Sequence, residues 1–269
     1  MIQESAPVVF NRRIAADHYQ LRLKSRTVSR KSKPGQFVHL LCVEEPGMAP
    51  LLRRPISIFD ADPKTGTIDL IYKVMGEGTE HLSKVRSGAS LDSLGPLGST
   101  FQVPNSAKTV YLVGGGVGIP PLYFLAKKLK KNSRVKTEVF LGARTKAWVI
   151  CAADFKKLGV PVHAATDDGS LGHRGSVVDL LKTVIAKQSH PNSMIYICGP
   201  TAMMRAAAAA TRQFNIPAQV SLEERMGCAM GVCMGCVVEV NSEPVGSHAR
   251  FQRVCTEGPV FDSEEVVWR

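Results

Sequence analysis

Val110-Tyr111-Leu112-Val113-Gly114-Gly115-Gly116-Val117-Gly118-Ile119-Pro120-Pro121 is where the pattern of the chain changes. Four apolar residues read as a short buried strand, a glycine loop follows, and Pro120–Lys131 reads as a helix. Downstream, Thr137–Leu141, Val162–Thr166 and Met194–Ile197 read as further strands, with helical segments between them, including Thr201–Phe214. Strands alternating with helices predict βαβ units and a parallel sheet covered on both faces. A glycine loop between strand and helix is the right setting for a dinucleotide. This loop departs from the usual fingerprint, because the third glycine position, counted from Gly114, is Ile119. No acid ends the next strand, which runs into Gly142-Ala143-Arg144, so the choice between NAD and NADP is not legible. Cys198-Gly199-Pro200-Thr201 makes a second glycine corner at the end of a later strand. Tight packing turns between strand and helix would account for both corners as well.

Upstream the pattern is different. Val8–Phe10, His18–Lys24, Gln36–Val43, Arg54–Asp60, Thr67–Val74 and Ser90–Leu94 read as short strands punctuated by Gly and Pro. Many short strands at this spacing predict an antiparallel barrel. After Ser221 neither pattern holds. Glycines and cysteines dominate to Cys236, then come a possible hairpin at Val237–Val240 and an acidic tail ending in Trp268-Arg269. The expected organisation is a barrel at 1–103, an α/β nucleotide-binding domain at 104–220 and a small module at 221–269.

With 269 residues, 44% of them hydrophobic, the chain can bury a substantial core. It has no apolar run long enough to span a bilayer and no leader-like N-terminus, so a cytoplasmic protein is expected. The net charge of +11 raises the question of nucleic acid. Its basic residues are scattered along amphipathic segments, and the densest run, Lys127, Lys128, Lys130 and Lys131, reads as the solvated face of one helix. No nucleic-acid partner is expected.

Three of the seven cysteines, Cys42, Cys151 and Cys198, lie apart in apolar settings and read as buried thiols. The other four are spaced Cys228-x4-Cys233-x2-Cys236-x18-Cys255, the plant-type ferredoxin arrangement for a two-iron two-sulfur cluster. Thiolates that wrap one compact inorganic core need a tight loop of small residues. Between Cys228 and Cys236 stand only Ala, Met, Gly and Val, with Gly227 just before. Glycine permits backbone N–H groups to turn inward toward sulfur. A structural zinc site would also use four cysteines, although Cys255 has no nearby partner to complete a second knuckle.

In the barrel region Arg54-Pro55-Ile56-Ser57 sits on one strand, and Ile71-Tyr72-Lys73 precedes Gly76-Glu77-Gly78-Thr79 at the start of a helical stretch, Glu80–Val85. A glycine turn with Thr at a helix start offers free N–H groups and a favourable dipole to a phosphate. A neighbouring Arg could complete such a site. The same residues could equally be an ordinary helix cap.

Taken in order, these pieces resemble the ferredoxin-reductase-like flavoproteins: R-P-x-S in a barrel, G-x-G-T at a helix, G-G-G-x-G-x-x-P, and C-G-P-x-x-M. The segment from Ser221 to Cys236, with Arg253-Val-Cys-Thr-Glu-Gly-Pro-Val-Phe261 and Thr166-Asp-Asp-Gly-Ser170, narrows the resemblance. It is similar to the electron-transfer subunits of the NAD-dependent (class 1B) dihydroorotate dehydrogenases. The likeness covers nearly the whole chain, and the cysteine segment is its most specific part.

The resemblance implies that Arg54, Pro55, Ile56 and Ser57 lie along an FAD, with Ile71, Tyr72 and Lys73 touching it and Gly78 and Thr79 holding its pyrophosphate. It implies Cys228, Cys233, Cys236 and Cys255 as ligands of the 2Fe-2S cluster. Gly115, Gly116, Gly118, Cys198 and Gly199 would border the nicotinamide nucleotide. Many ferredoxin reductases have an aromatic residue where Ile56 stands here. A separate FMN-containing catalytic subunit, in a heterotetramer of two of each, would oxidise dihydroorotate, and the electrons would reach NAD⁺ through the cluster and the FAD. No constellation for substrate acid–base chemistry is found in the chain, in keeping with chemistry carried by cofactors. Histidines such as His81 and His163 read as surface or structural. Competing readings are a flavin and iron–sulfur subunit of a transhydrogenase or sulfide dehydrogenase, and a zinc-stabilised nucleotide-binding protein without redox activity.

Overall fold

The computed structural model describes residues 1–42, 51–131, 134–187, 190–241 and 250–268. Val43, at the end of an expected strand, and Arg269 lie outside the described residues. The N-terminal part is a closed antiparallel barrel. Its strands are β1 (Ile2–Ala15), β2 (His18–Lys24), β3 (Phe37–Leu40), β4 (Arg54–Asp62), β5 (Thr67–Lys73) and β6 (Ser90–Leu97), in the order β1-β2-β5-β4-β3-β6. β1 is much longer than the expected Val8–Phe10 because it serves two neighbours. Residues 2–7 pair with β6, and residues from Val8 onward pair with β2. Pro7, which has no N–H to give, sits where the partner changes.

Leu21, Leu23, Val38, Leu40, Ile58 and Leu70 fill the barrel, each contributing about 1.5–3 kcal/mol by leaving water. A short helix that the strand pattern concealed, α1 (Arg26–Lys31), follows β2. Ser25 caps it by accepting the Val28 N–H at 3.1 Å, and Val28 packs into the barrel core. α2 (Glu77–Lys84) follows β5. Asn11 of β1 fastens its far end, its Nδ2 donating to the carbonyls of Leu82 (2.7 Å) and Val85 (3.1 Å).

The second part is a seven-stranded sheet. β7 (Thr109–Gly115), β8 (Lys136–Ala143), β9 (Val162–Thr166), β10 (His173–Arg174), β11 (Ser193–Cys198) and β12 (Ala218–Ser221) are parallel. Helices α3 (Ile119–Leu129), α4 (Ala152–Lys157), α5 (Val177–Ile185) and α6 (Thr201–Gln213) make the crossovers. The run Val110–Val113 is apolar throughout because both faces are covered: Val110 and Leu112 join one core cluster, Tyr111 and Val113 the other. From β7 the chain first builds outward through β8 and β9, then returns to place β11 on the other side of β7. That reversal puts a crevice at the carboxyl ends of β7 and β11.

The parts share their cores. Phe59 and Ile71 of the barrel pack with Ile119 and Leu122 of α3, and the rings of Phe59 and Tyr123 stack at 4.3 Å. Lys127, expected on a solvated face, forms an ion pair with Asp60 of β4. In the C-terminal segment β13 (Val237–Glu239) and β14 (Phe251–Arg253) form a hairpin. β15 (Val260–Asp262) leaves that module and adds an antiparallel edge to the large sheet beside β12.

Candidate functional site

A cleft of about 710 Å³ opens where barrel, sheet and C-terminal segment meet. Arg54, Pro55, Ile56 and Ser57 of β4 line it, as do Ile71, Tyr72 and Lys73 of β5 and Thr79 of α2. These strands are adjacent in the barrel, so two sequence-distant motifs form one wall. Tyr72 is buried, its ring stacked on Tyr19 and its hydroxyl donating to Asn11 Oδ1 at 3.1 Å. The Lys73 ammonium rests over the Trp148 ring at 4.1 Å, which ties the barrel to the α/β part.

Gly78 does not line the cleft but lies directly under the Arg54 side chain. A Cβ built on Gly78 would come within 2.9 Å of Arg54 Nε. Gly76 caps α2, so the helix begins earlier than expected and holds Gly78 and Thr79 in its first turn. Thr79 Oγ1 accepts the Met75 N–H at 2.9 Å and donates to the Gly76 carbonyl at 2.9 Å, and the first-turn amides have no carbonyl partner within the helix. A guanidinium held over a helix N-terminus is a fitting cradle for a pyrophosphate.

The glycine loop and the Cys198 corner come together, since Gly114 and Cys198 are cross-strand partners. A Cβ on Gly118 would meet the Cys198 carbonyl carbon at 2.3 Å, and one on Gly115 would meet Met203 Sδ at 2.8 Å. Packing against backbone therefore requires glycine at 118, whereas at 115 the flexible Met203 side chain can give way. Gly116 is different: it has φ +54° and open space around it, and its neighbour Val117 lines the cleft. Cys198 is fully buried, with its thiol pushed up by burial and hydrogen-bonded to the Ser221 carbonyl. Gly199 has φ +157°, and a Cβ there would meet the backbone N and O of Gly115 at 3.0 Å.

Phe37, Arg53, Met75 and the stretch Ser221–Met226 also line the cleft, although no motif in the sequence marks them for it. That stretch carries no periodic signal. It arrives there because β12 delivers the chain to the carboxyl edge of the sheet beside β11. Glu223 faces the cleft, where the surrounding protein pushes its carboxyl above the usual range.

The four clustered cysteines fall into two facing pairs. The thiols of Cys228 and Cys233 are hydrogen-bonded, as are those of Cys236 and Cys255, and all four are free. Cys233 is exposed, whereas Cys236 and Cys255 are buried. Burial pushes the Cys228 thiol up, but N–H groups of Met230, Cys233 and Val232, at 3.5, 3.4 and 3.3 Å from Sγ, outweigh it and hold the thiol down at about 6. Burial raises Cys255 to about 11, with Cys236 beside it adding to the effect. Among the described residues no three ligands converge as they would on a single ion. Two thiol pairs with inward amides suit a binuclear core, one pair to each iron.

The model of the iron–sulfur cluster binding domain of dihydroorotate dehydrogenase B matches residues 223–267, and that of the oxidoreductase NAD-binding domain matches residues 112–209. The dihydroorotate dehydrogenase B (NAD(+)) electron transfer subunit of Bacillus caldolyticus is 43% identical, with 98% of each chain covered. That of Desulforamulus reducens is 39% identical over 95% of this chain and 94% of the relative. A solved structure of an NADH-dependent reduced ferredoxin-NADP oxidoreductase superposes with a TM-score of 0.85. It is 33% identical, with 98% of this chain and 90% of that chain covered.

Proposed function

Since this chain belongs to the family of dihydroorotate dehydrogenase B (NAD(+)) electron transfer subunits, we propose that it passes electrons from an FMN-bearing catalytic partner, by way of its cluster and FAD, to NAD⁺. The observation that carries this reading is the meeting of three sites around one region: the cleft, the glycine corners and the paired cysteines all border Ser221–Met226 and its continuation. On this reading residues 1–103 supply the flavin wall, 104–220 the nucleotide crevice and 221–269 the cluster ligands.

FAD and the 2Fe-2S cluster supply two-electron and one-electron redox chemistry when bound. The protein's own part is to hold and separate them. Arg54 and the first turn of α2 take the pyrophosphate, and β4 and β5 form the wall for the ring system. Cys228 and Cys233 hold one iron, Cys236 and Cys255 the other. Gly116 leaves room for the nicotinamide nucleotide to approach, while Gly115, Gly118, Cys198 and Gly199 keep the corner compact. Met230, Val232 and Met234 stand exposed on the cysteine loop. Large apolar side chains on an exposed loop fit an interface, and we assign this one to the catalytic partner. Glu257, an acid of the same module, is paired with Arg253. No helix among the described residues is long and apolar enough to cross a membrane, and we place the complex in the cytoplasm, with two copies of each subunit.

Anaerobically purified chain should contain about two irons, with flavin and charge-transfer bands in its visible spectrum. Stoichiometric zinc in a colourless protein would sink the reading. Cys255→Ser should cost most of the iron and Cys42→Ser little, because Cys42 is an isolated buried thiol in the barrel. The likeness to the ferredoxin-NADP oxidoreductase favours one second reading, a transhydrogenase-type subunit. Binding of a dihydroorotate-oxidising partner separates the two.

A further inference from the structure

We propose that Arg253 is a positioning residue of the cysteine loop: by gripping the Gly231 carbonyl, its guanidinium aims a backbone N–H at the Cys228 sulfur and so raises the reduction potential of the cluster. The inference rests on the reading that the four cysteines ligate the 2Fe-2S cluster.

Arg253 Nη1 donates to the Gly231 carbonyl at 2.7 Å. The Val232 N–H lies in the same peptide plane and, in a trans peptide, points the opposite way. It lies 3.3 Å from Cys228 Sγ. Holding the carbonyl therefore holds the donor. Gly231 has φ +83°, and a Cβ there would fall 2.9 Å from Thr256 Cγ2 and 3.0 Å from Arg253 Nη1, so the loop and the arginine fit only through glycine. The arginine is itself fixed. Its Nε donates to Glu257 Oε2 at 2.9 Å and its own backbone N–H to the same oxygen at 2.8 Å, while Nη2 bonds to Oε1. The turn from Arg253 to Gly258, which contains Cys255, closes through N–H groups of Thr256, Glu257 and Gly258 onto the Arg253 carbonyl. One side chain thus couples the loop of Cys228 and Cys233 to the turn of Cys255.

Reduction adds negative charge to the core and its thiolates. N–H donors to sulfur stabilise that charge and raise the potential. None of these donors is needed to ligate iron, so Arg253 acts on the redox equilibrium and not on the ligand count. A lysine would keep the charge but lose the planar fork that grips carbonyl and carboxylate together.

The test is an anaerobic redox titration followed by electron paramagnetic resonance on the full-length, iron- and flavin-loaded chain. Arg253→Lys should retain about two irons and shift the one-electron equilibrium toward the oxidised cluster about tenfold, about 59 mV more negative. Glu257→Ala should shift it the same way. Removal of a carboxylate would by charge alone make reduction easier, so the sign separates positioning from electrostatics. An unchanged potential in iron-loaded Arg253→Lys, or a rise in Glu257→Ala, overturns the proposal while leaving the cluster reading intact. Wild-type chain loaded with zinc overturns both. Should Arg253→Lys fail to keep iron, the sign in Glu257→Ala decides alone.

Discussion

Arg53 and Arg54 are adjacent in sequence and go to opposite tasks. Arg53 is tied to Asp92 of the barrel, its Nη1 donating to the Asp92 carbonyl at 3.0 Å, whereas Arg54 lies over Gly78 and makes no ion pair among the described residues. Arg54→Ala should weaken FAD binding roughly ten- to hundredfold, the range expected for lost charge-assisted bonds of about 1.5–3 kcal/mol, with iron content unchanged. Gly78→Ala should do much the same at little cost in Tm, because the new methyl meets the movable end of Arg54. Flavin content and thermal melts of both variants check this; full flavin occupancy in either would show the cradle misplaced. His39 of β3 offers a pH test. Burial, aided by the charges of Arg53 and Arg54, lowers its pKa from 6.5 to about 4, and neither ring nitrogen has a hydrogen-bond partner among the described residues. The unfolded chain takes up that proton first, so the contribution is complete above pH 6.5 and drains away as pH falls toward 4. The loss is on the order of 3 kcal/mol. His39→Leu should flatten the fall of Tm between pH 6.5 and 5 relative to wild type.

At the scale of elements, the glycine loop after β7 does two jobs with its two glycines. Gly118 is glycine because the Cys198 backbone stands where a side chain would go, and Gly116 because of its positive φ. Gly118→Ala should destabilise by about 3 kcal/mol or more, since backbone cannot yield as a side chain can. Gly116→Ala should cost only about 1–2 kcal/mol, the strain of a left-handed residue. Urea unfolding of the two would check the order, and equal losses would contradict this account of the corner.

Across the whole molecule, the three parts are not beads on a string. β15 returns from the C-terminal segment to the large sheet, and Cys236 and Cys255 pack in the same core cluster as Phe37 of the barrel and Tyr111 of β7. The cysteine loop is thereby held beside the cleft with its apolar residues outward. The isolated chain should reduce artificial acceptors with NADH and fail to oxidise dihydroorotate until an FMN-bearing partner is added. Val232→Lys should lower the partner-dependent rate at least about tenfold, as burying an unpaired charge in an interface would, while NADH oxidation with a dye persists. Steady-state assays with each substrate, with and without partner, measure both; dihydroorotate oxidation by the lone chain would refute the division of labour.

Much of this was legible in one dimension because it is local. Period-two and strand–helix patterns mark the barrel and the sheet, and β2 and β9 fall where the sequence places them. The cysteine spacing is local too, since a compact core is wrapped by one short loop and one return. What the tertiary structure decided is everything that depends on which strands become neighbours. β4 beside β5 turns Arg54 and Tyr72 into one wall, and α2 folding back sets Gly78 under Arg54. β12 beside β11 brings the featureless stretch Ser221–Met226 into the cleft, and β15 joins a sheet whose other strands ended some forty residues earlier. Hydrophobic patterning fixes which face of a strand is buried but not which strand lies next to it. Adjacency is set by the packing of whole layers, and no window of sequence contains that information.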